Sequence, residues 1–474
     1  MKKPTKNELL RQLPKIDELQ RLVFSQIEAT KFPHSLLTDA IREVTATLRA
    51  QVVNEERFNM PSFDELVKEV FSLTSSYLQC NLKPVINATG IVLHTNLGRA
   101  PMSKRVAENI KKVAEGYSTL EYNINNGKRG SRHEVILGLV QRLAGAESAV
   151  IVNNNAAAVM LILKALCENK EVIVSRGELV EIGGSFRVPD VMTQSGALLR
   201  EVGTTNKTRV SDYEKAITTN TGALLKVHTS NFKIVGFTEE TTLDELVALG
   251  KKHGIPTIYD FGSGLMTESA DEVGIADEET VKTAFSSGID LIAFSGDKLL
   301  GSSQSGIIAG KKELVDKIKS HPLTRILRVD KLGLAALEAT LRIYLCSETA
   351  KKEIPTLRML SYSQDELKKK AQKILKALKP ILTDDFTASV EKMEGQVGGG
   401  SAPGQLLSSY GVEITPLKIS INELEEKLRL STPPIIARIK KDKLLLDSRT
   451  IDEEQFSVVA NIFKNIAMED NAND

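Results

Sequence analysis

The stretch Asp290-Leu-Ile-Ala-Phe-Ser-Gly-Asp-Lys-Leu-Leu-Gly301 constrains the fold of this chain more than any other. Leu291 to Phe294 is short and wholly apolar, which predicts a strand covered on both faces, as in a parallel sheet flanked by helices. Ser295-Gly-Asp-Lys298 follows at once, a tight polar turn that sets one lysine beside the core. Lysine is rarely buried without a partner. An amine in a desolvated pocket loses proton affinity and can form a Schiff base; a surface lysine in a strand–helix loop is the plain alternative. Upstream, Thr257-Ile-Tyr-Asp-Phe-Gly-Ser-Gly264 ends a second β-rich run in Asp260 and turns on glycines. A buried carboxylate there needs a cation or several donors; otherwise Asp260 is a turn or cap residue.

A strand ending in aspartate, followed later by a strand and Ser-x-x-Lys, resembles the fold-type I pyridoxal 5'-phosphate (PLP) enzymes. In that family the aspartate faces the protonated ring nitrogen and the lysine carries the cofactor.

Further strands are predicted at Ala149–Val152, Glu171–Val174, Ala223–His228 and Gly306–Ala309, with helices such as Leu243–His253 and Lys311–Ser320 among them. This alternation predicts an α/β domain with a mostly parallel sheet, right-handed crossovers and ligands at the carboxyl ends of the strands. Asn153 to Ala156, His228 to Asn231, Asp260 and Ser295 to Lys298 all fall at such ends. Asparagine caps a helix start well, and the free N–H groups of that first turn suit a phosphate monoester, which makes Asn154, Asn155 and Ala156 candidates. Gly98-Arg99 closes a polar loop in which backbone and guanidinium can approach an oxyanion together. Gly127-Lys-Arg-Gly-Ser-Arg132 reads equally as a solvated turn or an anion contact.

With 474 residues, two or three domains are expected. Residues 1–81 contain no glycine and read as a helical block, with helices at Lys6–Leu13, Ile16–Ala29, Pro33–Arg49 and Ser62–Leu78. Residues 82–330 form the α/β domain. From 331 a long helix (Lys331 to Cys346) leads into a small α+β domain reaching residue 474, with a hairpin turning at Lys441-Asp442 and a last helix from Asp452 to Met468. Gly398 to Gly404 lacks the Gly-Lys-Ser/Thr of a nucleotide loop and reads as a turn or lid. The formal net charge of +1 gives no bulk attraction to a polyanion, so any nucleic-acid contact must come from a local patch. Three scattered cysteines argue against a structural zinc site, hence no metal, and for a reducing compartment. A charged N-terminus and the lack of any membrane-length apolar run predict a cytoplasmic protein.

Taken together, Asn87-Ala-Thr-Gly, His94-Thr-Asn-Leu-Gly-Arg99, Lys128-Arg-Gly-Ser-Arg132, Asn153-Asn-Asn-Ala-Ala, Asp260-Phe-Gly-Ser-Gly264, Ser295-Gly-Asp-Lys298 and Pro433-Pro-Ile-Ile-Ala-Arg438 resemble the bacterial selenocysteine synthases, the L-seryl-tRNA(Sec) selenium transferases. The resemblance implies PLP-dependent β-replacement of L-seryl-tRNA(Sec) to L-selenocysteinyl-tRNA(Sec), through an aminoacrylyl-tRNA intermediate, with selenophosphate as donor. It also implies that Lys298 holds PLP and Asp260 faces its ring nitrogen, with His228, Ser295, Asn154, Asn155 and Ala156 in the cofactor set. Asp297, Arg99 and Arg325 match active-site positions, the two arginines toward the phosphate-like end of the donor. The helical block is expected to bind tRNA, through basic residues such as Lys2, Lys3, Lys6, Arg11 and Lys15. The assembly is expected to be a ring-shaped decamer built of dimers, with active sites at the dimer interface. Ser303-Gln-Ser305 and His133-Glu134 depart from the family pattern in loop detail.

Two other readings use the same residues. A PLP lyase or transferase acting on a free amino acid or amino sugar would need a small-domain arginine for the α-carboxylate, and Arg438 and Arg449 are available. A PLP-binding regulator without turnover would be expected to lack the donor-site arginine or the polar pocket.

Overall fold

The computed structural model describes residues 5–54, 59–182, 186–276, 278–381 and 385–473. Its contacts divide the chain into two compact units, Met1–Pro84 and Val85–Asp474.

The first unit is made of helices α1 (Lys6–Arg11), α2 (Ile16–Ser25), α3 (His34–Val53) and α4 (Phe63–Leu78). Thr5 with Glu8, and Ser62 with Glu65, form capping boxes that start α1 and α4. Leu37, Ile41, Val44 and Leu48 recur at helical spacing on α3, and this stripe packs in one core with Leu19 and Val23 of α2 and Leu66, Val70 and Phe71 of α4. The second helix ends at Ser25, earlier than its apolar pattern suggests, because the chain turns extended at Gln26. Lys6, Arg11 and Lys15 are exposed. Lys2 and Lys3 lie outside the described residues.

The second unit is built on a seven-stranded sheet of β1 (Ser148–Val152), β2 (Glu171–Ser175), β3 (Leu198–Val202), β4 (Thr221–Val227), β5 (Thr257–Gly262), β6 (Leu291–Ser295) and β7 (Gly306–Gly310). The order across it is β1-β7-β6-β5-β4-β2-β3. β7 runs antiparallel to both neighbours and every other pair is parallel. β1, β5, β6 and β7 are buried along their whole length, as largely apolar strands covered on both faces are. One apolar layer holds Ile151, Tyr259, Phe261, Ile292 and Phe294; the other holds Val150, Val152, Leu225, Leu291 and Ala293, with Leu161 and Ile162 from helix α5 (Asn155–Cys167). β3 was not expected, since it is an edge strand whose Leu-Leu-Arg-Glu-Val sequence leaves three of its five residues exposed.

Helix α6 (Lys331–Tyr344) leads to helix α7 (Gln364–Leu378) and to a four-stranded antiparallel sheet of β8 (Phe386–Gln396), β9 (Leu406–Pro416), β10 (Arg438–Lys440) and β11 (Lys443–Asp447). The hairpin between β10 and β11 turns at Lys441 and Asp442, with φ of +53° and +57°, as a two-residue turn between twisted strands requires. Helices α8 (Ile421–Leu430) and α9 (Phe456–Asn473) complete a core with Ile374, Val412, Leu424, Leu444, Leu446 and Phe463. Among the described residues, no helix is long and apolar enough to cross a membrane.

His133 accepts a hydrogen bond from Ile151 N at 3.3 Å, and burial, with Lys319 and Arg132 nearby, depresses its pKa to about 4. Only the unfolded chain then binds this proton between about pH 6.5 and 4, so the stabilisation is complete above that window and is lost as pH falls through it. Moving from pH 7 to pH 5 should therefore cost about 1–2 kcal/mol through this residue. His133→Gln keeps an acceptor and should lose that part of the acid sensitivity in denaturant unfolding; equal pH dependence in both proteins would contradict the assignment.

Candidate active site

β5 and β6 lie side by side, and their carboxyl ends deliver the two residues that matter most. Asp260 pairs in register with Val227 of β4 and Ala293 of β6, and a register shift between Asp260 and Gly262 turns the strand out of the sheet. Lys298 follows the Ser295-Gly-Asp turn. Asp260 and Lys298 are each only 5% exposed. Burial pushes the Asp260 carboxyl up, opposed by its bond from Asn155 and by the charges of Lys298 and His228. Burial also pushes the Lys298 amine down, opposed chiefly by Asp260. A carboxyl held this way gains from a further cation, and an amine held this way is free to act as a nucleophile.

The first turn of α5 divides its asparagines. Asn154 Oδ1 accepts from Ala157 N at 2.8 Å and caps the helix, while Asn155 Nδ2 donates to Asp260 Oδ1 at 2.8 Å. The His228 backbone N–H donates to Asp260 O at 2.9 Å. Ser295 ends β6, buried, opposite Gly306. Gly264 is required where it stands: its φ is +72°, and a β-carbon on it would lie 2.6 Å from Ser295 O.

Arg99 Nη1 donates to Asp297 Oδ2 at 2.8 Å, which places both residues beside Lys298, whose amine feels both charges. Arg99 has a φ of +60°, a conformation uncommon outside glycine and enriched at functional sites. Arg325 is elsewhere. It is exposed on the short helix Leu323–Ile326, and among the described residues its guanidinium has no hydrogen bond or ion pair within the protomer. The basic loop resolves as a turn: Arg129 and Arg132 both pair with Glu121, and Arg132 also donates to Val329 O. The two departures from the family pattern are absorbed structurally, Ser303 Oγ donating to Gly333 O and His133 holding Ile151 N.

The sequence singled out neither Glu278 nor a contact between the Gly398–Gly404 loop and the pocket, yet a β-carbon on Gly262 or Gly400 would lie 3.8 or 3.7 Å from Lys298 Nζ. Asn155 Oδ1, His228 Nδ1, Ser230 Oγ, Ser263 Oγ and Glu278 Oε1 are buried and, among the described residues, lack a hydrogen-bond partner. Buried polar atoms are ordinarily satisfied, so this many orphans around one amine and one carboxyl fit a polar, aldehyde-bearing aromatic cofactor. Glu278 lies in irregular chain between two other acids, and no local pattern distinguishes it.

The sequence profile of the L-seryl-tRNA selenium transferases matches residues 85–452. The chain belongs to this family. A Clostridium botulinum (strain Loch Maree / Type A3) L-seryl-tRNA(Sec) selenium transferase is 47% identical over 463 residues, covering 97% of this chain and 99% of its own. The Aquifex aeolicus (strain VF5) protein of the same name is 49% identical over 452 residues, covering 95% of this chain and 97% of its own. Among solved structures, D-glucosaminate-6-phosphate ammonia-lyase superposes with a TM-score of 0.57 at 22% identity, covering 83% of this chain and 98% of that one, a likeness of fold. The selenium transferase family is PLP-dependent, and the mostly parallel α/β sheet with its flanking helices has the fold-type I PLP architecture.

Proposed function

We propose that this chain converts L-seryl-tRNA(Sec) to L-selenocysteinyl-tRNA(Sec), taking selenium from selenophosphate. The observation that carries the reading is the buried Lys298–Asp260 pair at the carboxyl ends of β6 and β5, in a chain that matches the selenium transferases over nearly its whole length. Lys298 would hold PLP, Asp260 would face its ring nitrogen, and Asn154, Asn155 and Ala156 at the start of α5 would serve its phosphate, with His228 and Ser295 beside it. When bound, this cofactor supplies an electron sink that acidifies the seryl α-proton and lets the β-oxygen leave. Lys298, its proton affinity lowered by burial, would take that α-proton. Asp297 anchors Arg99, whose remaining donors suit the phosphate half of the selenium donor. The net exchange replaces the β-oxygen with selenium and leaves the donor as phosphate.

The free amino-acid reading loses its carboxylate receptors. Arg449 donates to Met359 O at 2.6 Å and Ser408 O at 2.7 Å. Arg438 donates to Glu394 O at 3.0 Å and faces Asp447. Both guanidinium groups are committed to the small-domain frame, which favours an esterified seryl group over a free amino acid. The helical unit is the proposed tRNA-binding element, and the tRNA substrate implies work in the cytoplasm. Incubating the protein with seryl-tRNA(Sec) and selenophosphate should yield selenocysteinyl-tRNA, with no product from free serine. Equal turnover of free serine would overturn the reading.

Arg325 supports a site completed by a second subunit, within the decamer built of dimers implied by the family pattern. Mixing Lys298→Ala and Arg325→Ala proteins, each inactive alone, should restore on the order of a quarter of wild-type activity, since about half of the dimers are then mixed and each mixed dimer carries one intact composite site of two. No restoration would mean that Arg325 acts within its own chain or not at all.

A further inference from the structure

The loop from Gly398 to Gly404 reaches the Lys298 pocket and is held from outside it. Gly398, Gly399, Gly400, Ala402 and Gly404 all have positive φ, and Ala402, at +46°, is a conformation that a side-chain-bearing residue keeps only when its surroundings enforce it. The enforcing contact is Glu278. Its side chain is 2% exposed, and Oε2 accepts from Ala402 N at 3.2 Å. Beside it, Gln405 Nε2 donates to Gly274 O at 2.9 Å, a second tie to the same segment. Inside the loop, Gly400 is so placed that a β-carbon would lie 3.5 Å from Ser230 Oγ and 3.7 Å from Lys298 Nζ. The other carboxylate oxygen, Oε1, lies 3.8 Å from His228 Nε2 and has no hydrogen bond among the described residues.

We propose that Glu278 is a positioning residue: it latches the Gly398–Gly404 loop as a wall over the Lys298 pocket. The same anion favours the charged form of Lys298, so the latch also acts on the reactive amine. Lys298 and Tyr259 feel its charge, His228 lies beside it, and Asp260, Arg99 and Asp297 act on the same amine. The inference rests on the Lys298 pocket being the active site, but its primary readout does not depend on turnover.

That readout is hydrogen exchange across residues 398–405 in the purified full-length protein. Glu278→Ala should speed exchange there by about tenfold or more while peptides from β5 and β6 stay as in wild type. Glu278→Gln keeps an acceptor for Ala402 N and should stay within about threefold of wild type. It lacks the charge, so the pH midpoint of its turnover should move down, with kcat affected more than KM. Unchanged exchange in Glu278→Ala, equal acceleration throughout the sheet, Glu278→Gln exchanging as fast as Glu278→Ala, or a Glu278→Gln pH profile matching wild type would each overturn the proposal. A protein that never transfers selenium would still report the latch, so the two failures are distinguishable.

Discussion

Replacing Lys298 with alanine should lower conversion of seryl-tRNA by about three orders of magnitude or more, with the fold retained. The expectation follows from position as much as from residue type. Lys298 is buried at the carboxyl end of β6, burial lowers its proton affinity, and no other lysine is among the charges that shift it or Asp260. On the proposed function the variant would lose both the covalent hold on the cofactor and the base for the seryl α-proton. Its far-UV spectrum should be unchanged, because an amine that is costly to charge inside the protein contributes little to holding the sheet together. Single-turnover assays with a large excess of enzyme would check the result, and conversion within tenfold of wild type would contradict it.

Asp260→Asn should have the second largest effect, a loss of about a hundred- to a thousandfold in turnover, with the cofactor still attached through Lys298. Asparagine keeps the shape and can still meet Asn155, but it cannot hold a positive charge on a ring nitrogen. The linkage has a definite sign. Burial raises the Asp260 pKa in the folded, cofactor-free protein, so the stability belonging to its neutral form is complete below the unfolded carboxyl range and is lost as pH rises through the folded value. At neutral pH the cofactor-free variant should therefore melt higher than cofactor-free wild type. The loaded variant should melt lower than loaded wild type, because the cation–carboxylate pair is gone. Two shifts of the same sign would mean that Asp260 does not face a cation.

The parts of this site that were legible in the sequence are those written as a short apolar run with a polar residue at its end. Lys298 after β6, Asp260 in β5 and the asparagines before α5 are of this kind, because a strand buried on both faces leaves no room for polar side chains except where it stops. β3 was illegible because an edge strand with exposed arginine and glutamate has no apolar run to show. The division of labour between Asn154 and Asn155 was equally hidden, since it depends on the turn of helix at which each side chain points. Arg132 looked like an anion ligand in its basic loop, but its neighbours are Glu121 and Val329 O, reached only through the fold. Glu278 meets Ala402 across more than a hundred residues of chain, and no local periodicity records such a pairing.

The central claim is that one lysine carries the cofactor. Borohydride reduction of the purified protein after incubation with PLP, followed by proteolysis and mass mapping, tests it most directly. The expected result is a single pyridoxyl-modified peptide, the one containing Ser295-Gly-Asp-Lys298, and no modified peptide in Lys298→Ala. Label on a different lysine, or a reduced protein carrying no label at all, would contradict it.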